Sequence, residues 1–312
     1  PDPMSTPMIL DCDPGHDDAI ALLLALASPE VEVLGVTTVG GNADLENTTR
    51  NALTVLEVAE RTDIPVAAGC GHPLVRPLVV ADHVHGKSGM DGPQLDPPTT
   101  EPVDAHAVDF IAETLAASSE PVTLVPTGPL TNIALLLRHF PDVVDNIRRV
   151  VLMGGAVGLG NRTPAAEFNI WADPEAAAVV FESGLDVTMV GLDVTHQALM
   201  GREHGKRLRP TGRCGAFVAD LLDFFVQFHE RVYGLDSSPI HDAVAVADVI
   251  WPDLLEAERF HVAVETDSEL NRGRTVVDRW RVTGKDPNAR VGLAIDGNEF
   301  GEKIVERISR LP

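Results

Sequence analysis

The sequence predicts an α/β protein in which helices cover both faces of a mostly parallel β-sheet. Short runs rich in Val, Ile and Leu alternate with longer stretches of helical periodicity, and the short runs are almost continuously apolar. Strand-then-helix alternation is typical of parallel sheets, and strands buried on both faces have this continuous apolar character. Because the chain shows no internal repeat, low-complexity tract or linker, we expect one large domain over residues 4–312.

The first two thirds of the chain supply the alternating units. Each strand is an apolar run, and each helix has apolar residues at helical spacing. In chain order we expect a strand at 8–10, a helix at 17–27, a strand at 31–39, a helix at 45–60, a strand at 122–125, a helix at 130–139, a strand at 150–153, a helix at 174–183 and a strand at 187–190. The weakly periodic stretch 69–102 is long for a loop in a compact domain, which suggests a functional loop.

Beyond residue 195 the pattern changes to longer helices and isolated strands. In chain order we expect helices at 213–233 and 242–250, strands at 261–265, 274–278 and 291–295, and a closing helix at 299–309. No linker separates this part from the preceding units, so we assign it to the same domain.

The charge excludes several kinds of partner. The 24 Lys and Arg residues stand against 47 Asp and Glu, which gives a net charge of −23. Affinity for nucleic acid or anionic lipid comes mostly from Lys and Arg, so neither is expected to bind. The composition, with 44% hydrophobic residues, also excludes a disordered chain.

A cytoplasmic location is expected. Cys12, Cys70 and Cys214 are an odd number without zinc-type spacing, which favours a reducing compartment. The longest apolar run near the amino terminus, 19–27, is much shorter than the ~20 residues of a membrane span. Residues 1–3, which precede Met4, are expected to be a remnant of cloning and no part of the fold.

An acidic cluster follows the first strand. The segment DCDPGHDD at 11–18 places Asp11, Asp13, Asp17 and Asp18 within eight positions. The last two could simply cap the helix, where free N–H groups favour carboxylates. With two more aspartates on the incoming side, a metal site is the stronger interpretation, and all-oxygen ligation points to Ca²⁺ or Mg²⁺.

Two known acidic motifs fit this segment poorly. An EF-hand loop needs a Glu at its twelfth position, where counting from Asp11 gives Leu22. A haloacid-dehalogenase-type phosphatase also begins with Asp-x-Asp, but it continues with Thr or Val where this chain has Gly15.

The opening segment resembles the signature of the inosine–uridine preferring nucleoside hydrolases. Further blocks resemble that family in the same order along the chain. They are TTVGGN (37–42), HG (85–86), PTGPLTN (126–132), MGG (153–155), AEFN (166–169) with DPEA (173–176), and HDA (241–243). The resemblance spans residues 10 to about 250 and implies a doubly wound α/β fold, a bound Ca²⁺, and hydrolysis of ribonucleosides to ribose and free base.

The resemblance also implies a set of metal ligands and a general base. It assigns Ca²⁺ to the carboxylates of Asp13, Asp18 and Asp242 and to the backbone carbonyl of Thr127, whose side chain is therefore expected to be replaceable. Asp13 is in addition the base that takes a proton from the attacking water. Carboxylates suit this reaction because positive charge develops on the ribosyl ring as the C–N bond breaks.

The remaining contacts implied by the resemblance surround the ribose and the base. Asp17 binds the 2-hydroxyl of ribose. Further ribose contacts are Asn42, Asn161, Glu167 and Asn169, with Asn161 and Glu167 near the 5-hydroxyl and Met153 as an additional candidate that could equally be a core residue. His241 protonates or polarises the departing base, a role that suits an imidazole titrating near neutrality.

The base pocket is the least specified part of the site. His85 is expected to line it, with an exposed loop histidine as the alternative. Further candidates are His83, Phe225, Phe228, His229 and Tyr233. With only fourteen aromatic residues in the chain, extensive base stacking is not expected, which slightly favours pyrimidine or mixed substrates.

Two other functions remain open at this point. A non-catalytic module could use the same cluster to bind ribose or a nucleoside, and a divalent-metal phosphohydrolase is a less favoured reading. For the hydrolase, the resemblance further implies a role in purine or pyrimidine salvage and assembly into a homo-oligomer, either a dimer or a tetramer.

Overall fold

The structure is a computed structural model that describes residues 5–312, except for the side chain of Tyr233. The suggested remnant at 1–3 lies outside the described residues, and so does the side chain of the predicted pocket residue Tyr233.

Strands and helices alternate along the first part of the chain as expected. The strands are β1 (Thr6–Cys12), β2 (Val31–Thr38), β3 (Val66–Ala68), β4 (Val122–Pro126), β5 (Ile147–Met153), β6 (Val187–Val190), β7 (Leu199–Gly201), β8 (Ser237–Pro239), β9 (Leu255–Phe260), β10 (Val262–Val264), β11 (Thr275–Val277) and β12 (Ala289–Ile295).

Helices of very different length connect the strands. They are α1 (His16–Leu26), α2 (Leu45–Val58), α3 (Asp82–His85), α4 (Ala107–Ala117), α5 (Thr131–His139), α6 (Phe168–Ala172), α7 (Pro174–Phe181), α8 (Leu192–Thr195), α9 (Arg202–Leu208), α10 (Arg213–Tyr233), α11 (His241–Ile250) and α12 (Gly297–Ile308), with a 3₁₀ turn at Pro141–Asn146.

The central sheet has eight strands in the order β3-β2-β1-β4-β5-β6-β12-β9. All neighbours pair in parallel except β9, which runs antiparallel to β12 at the edge. The chain moves outward from β1 to β3 and then returns to place β4 on the other side of β1. The carboxyl ends of β1 and β4 therefore flank a topological switch point, where α/β folds bind ligands.

Both faces of the sheet are covered, because alternate residues of the inner strands enter two different hydrophobic clusters. In β5, Val151 and Met153 pack with α1, α10 and α11, whereas Val150 and Leu152 pack with α4, α5 and α7. This two-sided burial explains the continuous apolarity of the strands. The predicted doubly wound, mostly parallel α/β fold is confirmed.

Some elements were not expected from the sequence. These are β3, α4 and β9, together with several short elements between β5 and α11. The stretch 69–102 does connect elements largely as a loop, interrupted by α3. Among the described residues, no helix combines the length and apolarity needed to cross a bilayer.

Candidate active site

The acidic cluster lies at the switch point. The backbone N–H of Thr127, directly after β4, donates to the carbonyl of Asp11 in β1 at 2.8 Å, so the two strand ends are held together. The Asp11 side chain is not part of the cavity, because its Oδ1 accepts from Thr37 Oγ1 at 2.6 Å and from Asn132 Nδ2 at 2.7 Å. Asp11 therefore fixes the strand ends, while the residues after it face the cavity.

Asp13 is fully buried where β1 leads into α1. Its Oδ2 accepts from the backbone N–H of Asn42 at 2.6 Å, and its Oδ1 has no hydrogen-bond partner among the described residues. A Cβ on Gly41 would lie 2.0 Å from Oδ2, and one on Gly128 would lie 2.7 Å from Oδ1. The two glycines therefore leave the space in which this carboxylate sits.

Asp17 and Asp18 occupy the first turn of α1, and Asp242 occupies the first turn of α11, which packs beside α1. Asp18 Oδ2 accepts from the backbone N–H of Gly15 at 2.9 Å, and its Oδ1 accepts from Thr127 Oγ1 at 2.8 Å. The Thr127 hydroxyl therefore orients a carboxylate across the switch point, which counts against the expectation that this side chain is replaceable.

These carboxylates repel one another strongly. One carboxylate oxygen from each of Asp17, Asp18 and Asp242 lies within 4.8 Å of the others, and all three residues are buried. Burial, followed by the charge of Asp18, raises the pKa of Asp17 to about 7. Burial and the neighbouring aspartates also raise the pKa of Asp13 and of Asp242 well above the ordinary value.

A hard cation fits this set of donors. Buried carboxylates at such spacing remain ionised only when positive charge lies between them, and Asp13 Oδ1 has a free lone pair to offer. The closest group contains Asp17 in addition to the expected Asp18 and Asp242, so geometry alone makes Asp17 a possible ligand as well. The Thr127 carbonyl accepts from Asn169 Nδ2 at 2.7 Å, which leaves it a second lone pair.

A cavity of about 920 Å³ opens beside the cluster, large enough for a nucleoside. Its walls contain most of the residues expected to bind substrate. The predicted site residues that line the cavity are Asp17, Asn42, His83, His85, Thr127, Met153, Asn161, Glu167, Asn169, Phe225, Phe228, His229, His241 and Asp242. Asp13 and Asp18 are buried next to these residues without forming part of the wall itself.

Glu167 and Asn169 form one wall of the cavity at the start of α6. The Glu167 carboxylate caps the helix by accepting from the backbone N–H groups of Asn169 at 2.9 Å and Ile170 at 3.2 Å. Burial raises its pKa to about 7 in spite of these bonds. Asn161 is exposed and accepts from the backbone of Phe168 at 2.9 Å.

His241 is half-buried at the start of α11, and its Nδ1 lies 2.7 Å from Thr195 Oγ1. Burial, followed by the charges of His196 and His229, lowers its pKa to about 3. This pKa lies well below the near-neutral value expected from the sequence. The ring is neutral at pH 7, and when the Thr195 hydroxyl donates to Nδ1 the ring proton is on Nε2.

The expected base-pocket residues lie on α3 and α10. His85 is buried against Phe225, with ring centroids 5.5 Å apart, whereas His83 is exposed at the rim. His229 is buried, and its Nδ1 lies 3.0 Å from Ser238 Oγ. Phe228 is half buried next to the His229 ring.

Several residues around the cavity were not identified from the sequence. His196, Leu199, Val232, Leu235 and Pro239 line it from the region around α8, β7, α10 and β8. They carry no motif, and only the fold brings them together. Thr195 contacts His241 and His16 contacts His85, both from outside the cavity. The position of His16 inside the acidic motif is the one feature of the sequence that could have pointed to either residue.

Comparison with known proteins identifies the family. The sequence model for the inosine-uridine preferring nucleoside hydrolases matches residues 8–302. A pyrimidine-specific ribonucleoside hydrolase RihA of Escherichia coli O7:K1 is 50% identical over 98% of this chain and 99% of its own length. A protein of the same description from Shewanella sp. strain MR-7 is 51% identical over 98% of this chain and 97% of its own length.

Solved structures of the same class superpose closely. A plant nucleoside hydrolase, PpNRh1, has a TM-score of 0.92 at 31% identity, covering 97% of this chain and 99% of its own. A purine-preferring ribonucleoside hydrolase from Gardnerella vaginalis has a TM-score of 0.92 at 34% identity, covering 98% of both chains. The chain belongs to the inosine-uridine preferring nucleoside hydrolase family, and the predicted enzyme class, an N-ribohydrolase, is confirmed.

Proposed function

We propose that this member of the nucleoside hydrolase family cleaves the N-glycosidic bond of pyrimidine ribonucleosides with the help of Ca²⁺. The observation that carries the proposal is the meeting, in one cavity, of buried carboxylates at the switch point and a neutral, oriented imidazole. The carboxylates would stabilise the positive charge that develops on the ribosyl ring, and the imidazole would stabilise the departing base.

Ca²⁺ would be held by Asp13, Asp18, Asp242 and the Thr127 carbonyl. When bound, it supplies the positive charge that keeps these carboxylates ionised, and it orients the ribose hydroxyls and a water molecule. Support comes from the raised pKa of the buried aspartates and from the unpartnered Oδ1 of Asp13.

Asp13 would act as the general base. One of its oxygens is fixed by the Asn42 N–H, so the carboxylate cannot rotate freely, while Oδ1 keeps a lone pair for a proton from water. Asp17 would bind the 2-hydroxyl of ribose. Asn42, Met153, Asn161, Glu167 and Asn169 would place the rest of the sugar.

His241 would stabilise the leaving base as a hydrogen-bond donor. Its depressed pKa means that the ring is neutral before reaction and carries no positive charge, and with the Thr195 hydroxyl donating to Nδ1 it offers an Nε2–H. Negative charge on a departing pyrimidine spreads onto its carbonyl oxygens. A neutral donor can stabilise that charge without completing proton transfer.

The pyrimidine preference is supported by the relatives at 50 and 51% identity, which are described as pyrimidine-specific. The purine-preferring structure is more distant, at 34% identity. Among the described residues, the phenylalanines that line the cavity are few, namely Phe168, Phe225 and Phe228.

Release of base from uridine, cytidine, inosine, adenosine and guanosine tests the proposal. After treatment with chelator and addition of Ca²⁺, we expect kcat/KM to be highest for the two pyrimidine nucleosides. Asp13→Asn should lower kcat on uridine by about 10² to 10⁴, whereas Asp104→Asn, with the same charge change at an exposed position, should not. Saturable nucleoside binding without release of ribose would instead identify a binding module.

The proposal extends to the cellular setting. We propose a cytoplasmic enzyme of nucleoside salvage that assembles as a homodimer or homotetramer. Light scattering of the purified protein tests the assembly, and a monomer at micromolar concentration would contradict it. Cell fractionation tests the location.

A further inference from the structure

His16 lies behind the cavity and is tied to the loop that follows α3. It is fully buried, and its Nε2 lies 2.8 Å from the backbone carbonyl of Asp91. The loop holds that carbonyl firmly, because the backbone N–H of Asp91 donates to the His85 carbonyl at 3.1 Å, and its carboxylate accepts from the backbone of Ser88 at 3.1 Å.

The Asp91 carbonyl determines which nitrogen of His16 carries the proton. A carbonyl oxygen can only accept, so Nε2 of the neutral His16 ring must be the N–H. Nδ1 of His16 is then an acceptor, and it lies 3.0 Å from Nδ1 of His85. The proton in that contact must therefore come from His85.

The opposite arrangement is disfavoured by the same distances. If His16 Nδ1 carried the proton, its Nε2 lone pair would face the Asp91 oxygen at 2.8 Å. The backbone N–H of His16 also lies near His85 Nδ1, but at 3.4 Å it is close to the limit of a hydrogen bond. Giving up that long contact costs less than opposing two lone pairs at short range.

We propose that His16 is a positioning residue that holds His85 as the Nδ1–H tautomer, so that Nε2 of His85 accepts a hydrogen bond from the bound nucleoside. His85 lines the cavity, and in the described part of the chain no group bonds to its Nε2. The inference rests on the proposed function, because that function supplies the nucleoside that His85 would contact. His85 would then accept a hydrogen bond in one wall of the cavity, whereas His241 would donate one in the other.

The surrounding packing holds both rings in place. His16 is stacked on Phe224 at 5.0 Å between centroids and on Phe225 at 5.2 Å, with planes within 8° of parallel. A Cβ on Gly15 would lie 2.6 Å from Nδ1 of His85, so only glycine allows the two rings to meet here. Neither ring can turn over without breaking this contact.

Nitrogen NMR of the histidine-labelled, substrate-free protein tests the tautomer directly. The His85 resonances are assigned by their absence from the spectrum of His85→Gln. In the wild type we expect them to show a protonated Nδ1 and an unprotonated Nε2. His16→Phe keeps the aromatic stack but removes both nitrogens, so His85 should shift towards the Nε2–H form. His16→Asn places an amide oxygen where Nδ1 was and should restore the wild-type tautomer. A protonated Nε2 in the wild type would overturn the inference.

Kinetics on uridine test the consequence for binding. His16→Phe should raise KM about tenfold with a smaller change in kcat, while His16→Asn stays within about threefold of wild type. An unchanged KM in folded His16→Phe would refute the role. Failure of the wild type to cleave any nucleoside would refute the proposed function but leave the tautomer measurement intact.

Three uridine analogues identify the donor. Loss of binding for 3-methyluridine but not for 5-methyluridine would locate the contact at the base N–H. Loss for 5′-deoxyuridine alone would locate it at a ribose hydroxyl. Either result supports an acceptor at His85 Nε2. If each analogue loses the same fraction of its binding in His16→Phe as in the wild type, the acceptor is contradicted.

Discussion

The Thr127 hydroxyl gives the sharpest test of how the carboxylate cluster is maintained. It is buried and donates to Asp18 Oδ1 at 2.8 Å, across 109 positions of sequence. Thr127→Val replaces the hydroxyl with a methyl group of similar size and leaves the backbone carbonyl in place. The change therefore removes one hydrogen bond to one proposed calcium ligand.

The size of the effect follows from that bond. A hydrogen bond to a charged group contributes about 1.5 to 3 kcal/mol, and loss of a contact that orients a metal ligand typically costs about 10 to 100-fold in affinity. Burial already raises the pKa of Asp18, and the Thr127 hydroxyl opposes that rise. Without the hydroxyl, the Asp18 carboxyl group retains its proton more readily, so a binding cation must displace that proton.

Calorimetric Ca²⁺ titration of the chelator-treated protein measures the effect. We expect Thr127→Val to weaken Ca²⁺ binding by about 10 to 100-fold at pH 7, with a smaller difference at higher pH, where Asp18 is ionised in both proteins. Thr127→Ser should bind as the wild type does. Thr123→Val is a matched control, because the buried Thr123 hydroxyl in β4, the strand that precedes Thr127, has no partner among the described residues. Affinity within twofold of wild type for Thr127→Val would refute the reasoning.

Three further predictions address the imidazole, the aspartates and the sheet. Thr195→Val removes the partner of His241 Nδ1 and should lower kcat on uridine about tenfold with little change in KM; unchanged kcat would show that the contact does not orient the ring. In the metal-free protein, burial raises the pKa of Asp17 to about 7 from an ordinary 3.8, so between these pH values the folded state binds more protons than the unfolded state. Its stability to urea should therefore fall as pH rises from 4 to 7, and saturating Ca²⁺ should reduce that loss; a rise in stability would contradict the assignment. Asp248 is buried and accepts hydrogen bonds from one arginine of β5 at 2.9 Å and one of β12 at 2.6 Å. Asp248→Ala should therefore lower the free energy of unfolding in urea by about 3 kcal/mol. A change below about 1 kcal/mol would show that the two arginines are rehydrated at no cost.

The sequence predicts elements best where their pattern is strong. The helix expected at 213–233 is α10 with the same bounds, and it ends at Gly234, which adopts a left-handed conformation with φ of 69°. The strand β9 was missed because it is an edge strand whose inner residues Glu256, Glu258 and Arg259 face solvent, so it lacks the apolar run of the central strands. Local pattern therefore locates what is buried and overlooks the exposed edge.

The site was predictable to the extent that it is local. Asp13, Asp17 and Asp18 lie within one strand-to-helix turn, so their spacing alone places them together. The Thr127 hydroxyl bond and the low pKa of His241 depend on long-range burial that no spacing reveals. The same applies to His16, whose role depends on a loop carbonyl 75 residues away.

The arrangement of α1 and α11 explains how the fold tolerates so much like charge in one place. The two helices pack side by side, and both begin at the cluster, so Asp17, Asp18 and Asp242 all lie in first turns. Unpaired N–H groups and the positive end of each helix dipole favour carboxylates there, but each such effect contributes only about 0.3 to 1 kcal/mol, or up to about 2 kcal/mol when partly buried. That is less than the cost implied by the raised pKa of these groups. The helix termini can therefore orient the carboxylates but cannot neutralise them, and a divalent cation would offset the remaining cost of burying these charges together.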